Sequence, residues 1–217
     1  MDKASAYARV KERVVALVSE GNADTEVPTC PGWTVKDLVA HMADLLEVAS
    51  TDPKGGFDQD WGERGVQKRR GASLQDCLDE WDRRVKENTD VFESQLAPVA
   101  VSDALAHEQD IRTALVKPGG TDDENIGPAV EMALMFLTKK AEAQSLPTLR
   151  VVSDEIDHTV GEGEAQATLR ASTFELFRTL HGRRTPDQVS ELEWDGEPGG
   201  WPNEFFIFGP TKEVVEG

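Results

Sequence analysis

The sequence predicts an α+β protein in which a helical bundle over residues 1–146 precedes a small α/β domain over residues 147–217. Three observations carry that reading. Apolar residues recur at spacings of three and four through the first two thirds of the chain, capping patterns open those segments, and from Pro147 short β-branched stretches punctuated by glycine replace them.

Taken in order, Tyr7, Val10, Val14, Leu17 and Val18 place one apolar face on a helix from about Ala4 to Ser19, which Gly21 and Asn22 end. Pro28 and Pro31 hold the next segment extended. Thr34 with Asp37 forms a capping box, so a second helix runs from Val35 to about Ser50. His41 sits on its flank, about 60° from Leu38 at roughly 100° per residue, at the edge of the core stripe. Residues 52–71 contain five glycines without sustained periodicity and read as a long loop. Ser73 and Asp76 cap a third helix, with Leu74, Leu78, Trp81, Val85 and Phe92 inward, ending near Pro98. A fourth covers about Val101 to Val116 and stops at Pro118-Gly119-Gly120. Pro128 suits the first turn of a fifth, whose Val130, Leu134, Leu137 and Ala141 face a core.

Beyond Leu146, Leu149 to Val152, Thr159-Val160 and Ala165 to Ala171 read as strands. Ser172 caps a helix that stops at Gly182, and a further strand is expected from Val189 to Trp194. The stretch from Gly199 onward carries no readable pattern.

The chain has 41 acidic and 23 basic side chains, a net charge of -18. That field repels phosphate backbones and anionic lipid, so neither nucleic acid nor a membrane is an expected partner. An acidic substrate would need nearby arginines. The N-terminus has no signal-peptide pattern, and no apolar run approaches the ~20 residues a bilayer span needs. A cytoplasmic protein, monomeric or homodimeric, is the expectation. Cys30 and Cys77, the two cysteines present, are too few for a disulfide scaffold and are assigned to packing.

The candidate chemistry lies in three residues. Asp103 and His107, four apart, share a helical face and reach one point, and His41 comes from another helix. Two imidazoles and a carboxylate hold a divalent ion while leaving a coordination position open, as catalytic sites do. The competing reading is a structural histidine and a helix-surface ion pair. Asp110, three residues after His107, is placed to accept a hydrogen bond from its other ring nitrogen. Glu108 and Gln109 point elsewhere. His158 and His181 are assigned structural or surface roles.

The stretch from Val27 to His41, which includes Pro28-Thr29-Cys30-Pro31-Gly32-Trp33-Thr34, closely resembles the opening signature of the mycothiol-dependent maleylpyruvate isomerase family, a branch of the DinB-like metal-binding helical bundles. Residues 103–115, with His107-Glu108-Gln109-Asp110-Ile111-Arg112, are similar to its second signature. Val160 to Glu164 and Leu180 to Arg184 resemble its small second domain. The resemblance implies a DinB-like four-helix bundle followed by a small α/β domain, with a zinc-like ion on His41, Asp103 and His107 and mycothiol as thiol cosubstrate. Asp103 departs from the family pattern, which carries glutamate there. The resemblance also implies an arginine from the second domain at the site, and Arg183 matches best.

The leading expectation is a metal-dependent enzyme that activates this thiol, either to isomerise a small electrophile such as maleylpyruvate or to transfer sulfur to it. Arg183 and Asp110 would serve catalysis and Arg112 would bind the cosubstrate, with Arg69 and Arg70 as further anion partners. Two alternatives stay open. One is a metal-dependent hydrolase in which Asp110 or Glu108 moves the proton, and the other is a non-catalytic binding protein whose ion is closed off by a fourth ligand such as Glu108.

Overall fold

The computed structural model describes residues 2–54, 56, 60–212 and 214. Residue 1 of the expected bundle, residues 55 and 57–59 of the expected loop, and residues 213 and 215–217 of the expected second domain lie outside the described residues. The chain divides into two compact units, one up to Gly119 and the other from Gly120.

In the first unit the long helices are α1 (Lys3–Leu17), α2 (Val35–Thr51), α4 (Leu74–Glu87) and α5 (Ala97–Ala114), with a short α3 (Trp61–Lys68) between α2 and α4. They form because each carries an apolar stripe and most have a local start signal. Asp2 accepts from the Ser5 N–H, and Thr34 with Asp37 and Ser73 with Asp76 make the reciprocal boxes their spacing predicts. Each such cap contributes about 1 kcal/mol. Helix α1 packs on α5, while α2 packs on α3, α4 and α5. Tyr7, Val10, Leu38, Met42, Leu46, Leu74, Trp81 and Leu105 fill the interior. Trp81 Nε1 donates to the Tyr7 hydroxyl at 2.8 Å, joining α4 to α1 inside the core.

The second unit contains α6 (Ile126–Gln144), strands β1 (Leu149–Val152), β2 (Asp157–Val160) and β3 (Ala167–Arg170), helices α7 (Thr173–Leu180) and α8 (Pro186–Ser190), β4 (Glu193–Gly196) and α9 (Trp201–Glu204). Its sheet runs β2-β1-β3-β4, with β1 and β3 parallel and the outer pairs antiparallel. Leu149, Val151 and Leu169 alternate onto the buried face that the period of two requires. Helix α6 packs on α7 and on β2. It therefore stands with the second unit, whereas a boundary at Leu146 counts it with the first.

Several elements differ from the expectation. Part of the expected loop is α3, whose Gly62 and Gly65 lie against α2. A Cβ on Gly62 would come within 3.2 Å of the His41 ring, and one on Gly65 would overlap the Asp44 carboxylate. Close approach, rather than periodicity, chose those residues. The third long helix stops at Glu87 and a 3-10 turn over Thr89–Glu93 follows. Val189 lies in α8, not in a strand, because Thr185 and Gln188 make a capping box with Pro186 in the first turn. Trp201, Phe205 and Phe206 bury the patternless C-terminal stretch. No helix among the described residues is long and apolar enough to cross a membrane.

Candidate metal centre

His41 reaches the site from α2, Asp103 and His107 from α5. The His41 Nε2 and His107 Nε2 atoms each lie 3.5 Å from Asp103 Oδ1, and the three ligand atoms fall within 4.8 Å of one another. Charge-assisted hydrogen bonds close to about 2.7–2.9 Å, so these contacts are too long to be good ones. Tetrahedral ligands on bonds of about 2.1 Å stand about 3.4 Å apart. The separations thus fit a shared cation better than direct pairing. The one-methylene retreat from glutamate to Asp103 does not prevent this convergence.

Both imidazoles are buried, while the Asp103 side chain keeps 20% of its surface exposed and so gives the cluster an accessible side. Among the described residues, the buried His41 Nδ1 atom has no hydrogen-bond partner. Such orphaned atoms are uncommon in folded proteins. The His41 ring is held instead by Trp33 and Trp61, with centroids 5.0 and 4.6 Å away.

The proton balance follows from the neighbours. Burial pushes His41 below its ordinary pKa of 6.5, and Asp103 offsets this only in part. Burial opposes protonation of His107 as well, but the nearby Asp103 charge and the hydrogen bond to Asp110 outweigh it and raise that imidazole well above 6.5. Asp103 is penalised by burial, yet the two imidazoles hold its carboxyl well below the usual carboxylate range. Two rings 4.9 Å apart do not both charge readily, and His107, which has a second acceptor, keeps the proton. A bound cation would take over that positive charge.

The second acceptor is the hydrogen bond that spacing predicts. His107 Nδ1 lies 3.0 Å from Asp110 Oδ2, which fixes Nε2 as the lone-pair nitrogen of the neutral ring. Cys30, assigned to packing from sequence, donates its thiol to the same Asp110 oxygen at 3.6 Å. It is carried there by a tight turn in which Pro31 and Gly32, at φ +85°, occupy the central positions and Trp33 N–H bonds to the Cys30 carbonyl at 3.0 Å. Trp33 then bonds Glu63 of α3 through Nε1 at 2.9 Å. Sequence reading also missed Trp33, Trp61 and Gly62 as the surroundings of His41.

The remaining candidates have other partners. Glu108 is fully buried between Arg13, at 2.7 Å, and Arg112, at 2.8 Å, so it is not placed to close the coordination sphere or move a proton. Arg112 also donates to the Lys117 carbonyl at 3.3 Å, and an anion there would compete with Glu108. Arg69, expected as an anion partner, is buried among Asp44, Glu47 and Glu80. Arg70 lies 3.8 Å from Glu63. Arg183 belongs to the second unit, where it donates to the His181 carbonyl.

Residues 5–101 match the family model described as the mycothiol maleylpyruvate isomerase N-terminal domain. No curated protein matches the chain in sequence. Two solved structures are similar in fold. A crystal structure of a histidine-to-alanine variant of mycothiol-dependent maleylpyruvate isomerase matches with a TM-score of 0.55 at 14% identity, covering 90% of this chain and 92% of that one. Another crystal structure of mycothiol-dependent maleylpyruvate isomerase gives 0.52 at 15% identity, with 83% and 88% covered. The chain as a whole therefore has the fold of those isomerases, and its residues 5–101 are similar to the N-terminal domain of the mycothiol maleylpyruvate isomerase family.

Proposed function

We propose that the chain is a metal-dependent enzyme that activates a low-molecular-weight thiol of the mycothiol type toward a small electrophile such as maleylpyruvate. The observation that carries this is the convergence of His41, Asp103 and His107 at ligand-like separations with an accessible Asp103 side. His41, Asp103 and His107 would hold a divalent ion, with zinc the natural choice for two imidazoles and a carboxylate. When bound, such an ion favours the thiolate of an incoming thiol and so supplies a nucleophile at neutral pH.

The protein's own residues have separate tasks. Asp110 keeps the His107 ring oriented and its Nδ1 protonated, leaving Nε2 for the ligand role. Trp33 and Trp61 fix the plane of His41. Arg183 is proposed as the partner of a substrate carboxylate, while Arg112 would have to leave Glu108 to bind the cosubstrate. In isomerisation the thiolate would add to the conjugated double bond, the new single bond would rotate, and elimination would restore the double bond and the thiolate. In S-transfer the new C–S bond would remain.

The test pairs elemental analysis with turnover. Purified protein should hold about one equivalent of metal and convert maleylpyruvate, or another member of a panel of electrophiles, only with mycothiol added. The double variant His41→Ala, His107→Ala should lose both metal and turnover. Turnover without any thiol would favour a hydrolase, and metal retained in the double variant would remove the proposed site.

A further inference from the structure

We propose that the chain carries a second cation position, built on the opposite nitrogen of His107, that takes thiophilic divalent ions such as Cd2+. Its ligands are Cys30 Sγ, Asp110 Oδ2 and His107 Nδ1, which lie within 4.8 Å of one another. For bonds of the length zinc makes, about 2.3 Å to sulfur and 2.1 Å to oxygen, tetrahedral geometry separates the two donors by about 3.6 Å, and the longer bonds of Cd2+ ask for a few tenths of an ångström more. Cys30 and Asp110 stand 3.6 Å apart. The 3.0 Å between His107 and Asp110 is a hydrogen bond and must open by a few tenths of an ångström toward about 3.4 Å as an ion replaces the proton. The three donors come from two elements fixed independently, the turn at Cys30–Trp33 and the buried face of α5.

The two positions differ in chemistry. His41, Asp103 and His107 offer nitrogen and oxygen alone, whereas the Cys30 set adds a thiolate, which selects softer ions. They also exclude one another, because a neutral imidazole has a single lone pair. An ion on Nδ1 displaces that nitrogen's proton and leaves the ring hydrogen on Nε2; the Nδ1 proton and the Cys30 thiol proton both go to solvent. A soft ion would therefore disable the first position without touching His41 or Asp103. This exclusion rests on the function proposed above, but the second position itself does not.

The experiment is a titration of the purified full chain with Cd2+ alone, following the ultraviolet thiolate-to-metal charge-transfer band and the metal retained after desalting. The parent should develop the band and saturate near one equivalent. His41→Ala and Cys77→Ala should keep it, and Cys30→Ser and Cys30→Ala should lose it while their circular dichroism matches the parent. Zinc bound beforehand should raise the Cd2+ needed in the parent and not in His41→Ala. No band in the parent, or a band that survives Cys30→Ser but vanishes in Cys77→Ala, would overturn the proposal. Because His41→Ala removes the first ligand set, a band in that variant stands whether or not the thiol chemistry does.

Discussion

Arg69 and His41 are both almost fully buried and both lie against the junction of α2 with α3, yet their surroundings are built differently. The Arg69 guanidinium has five N–H donors and uses each: two go to Glu80 at 2.7 Å, and the others reach Asp44 at 2.6 Å, the Gly65 carbonyl at 2.9 Å and Glu47 at 3.1 Å. Around His41, among the described residues, the carboxylate contact to Asp103 is 3.5 Å long and Nδ1 has no hydrogen-bond partner. A buried charge whose hydrogen bonds are complete binds its own helices together. The histidine cluster leaves part of its bonding capacity unused, which is what a ligand-binding site requires. The comparison teaches that burial alone does not describe a polar group, and that the pairing of its hydrogen bonds must be weighed beside it.

Replacing the saturated arginine is the severest way to probe that contrast. Arg69→Met leaves buried Asp44 with only the longer contact to Lys68, and Glu80 with those to Arg83 and Arg84, and should cost about 3–5 kcal/mol of stability, read as a shift of the urea unfolding midpoint. His41→Gln, which keeps much of the ring's volume, should cost clearly less in metal-free protein while abolishing stoichiometric metal binding. Equal losses of stability in the two variants would erase the distinction. A weaker perturbation addresses the support of the site. Asp110→Asn keeps shape but loses the anionic acceptor on His107, and outer-sphere carboxylates of this kind are worth 10–100-fold in metal affinity. A chelator competition measures it. Unchanged affinity would make Asp110 a packing residue like the neighbours of Arg69.

What the sequence disclosed of these two clusters followed the range of the signal. Thr34 with Asp37 and the stripe through Leu38, Met42 and Leu45 are local, so α2 and the flank position of His41 were legible. Asp103, His107 and Asp110 lie within two turns of one helix, and periodicity alone aligned them. Residues whose role depends on a distant partner were not legible. Cys30 meets Asp110 across 80 residues of chain, and Arg13 meets Glu108 across 95. Arg69 reads from sequence as an available anion partner because its acids come from α2 and α4. Helix α3 was missed since Gly62 and Gly65, selected to let α2 approach, carry no hydrophobic period. At α8 the capping signal of Thr185 and Gln188 was present, but the β-forming character of Val189, Leu192 and Trp194 outweighed it in a short window.

The smallest effect concerns acid. The hydrogen bonds from Arg69 hold the Glu80 carboxyl below its ordinary 4.5, although burial works against them. The folded state therefore binds fewer protons than the unfolded chain between those two values, and stability falls as pH drops through that interval. The contribution is fully present above about 4.5 and gone below the folded pKa. Glu80→Gln removes this titration, so the stability gap between parent and variant should shrink on acidification, by an amount within about 1 kcal/mol for a partly solvated pair. Asp103 is lowered in the same direction by its imidazoles and is untouched by this substitution, so acid sensitivity that persists in Glu80→Gln includes the histidine cluster. If Glu80→Gln unfolds along the same acid limb as the parent, the Arg69 cluster is not proton-linked. Its completeness of pairing would then no longer explain how it differs from the site beside it.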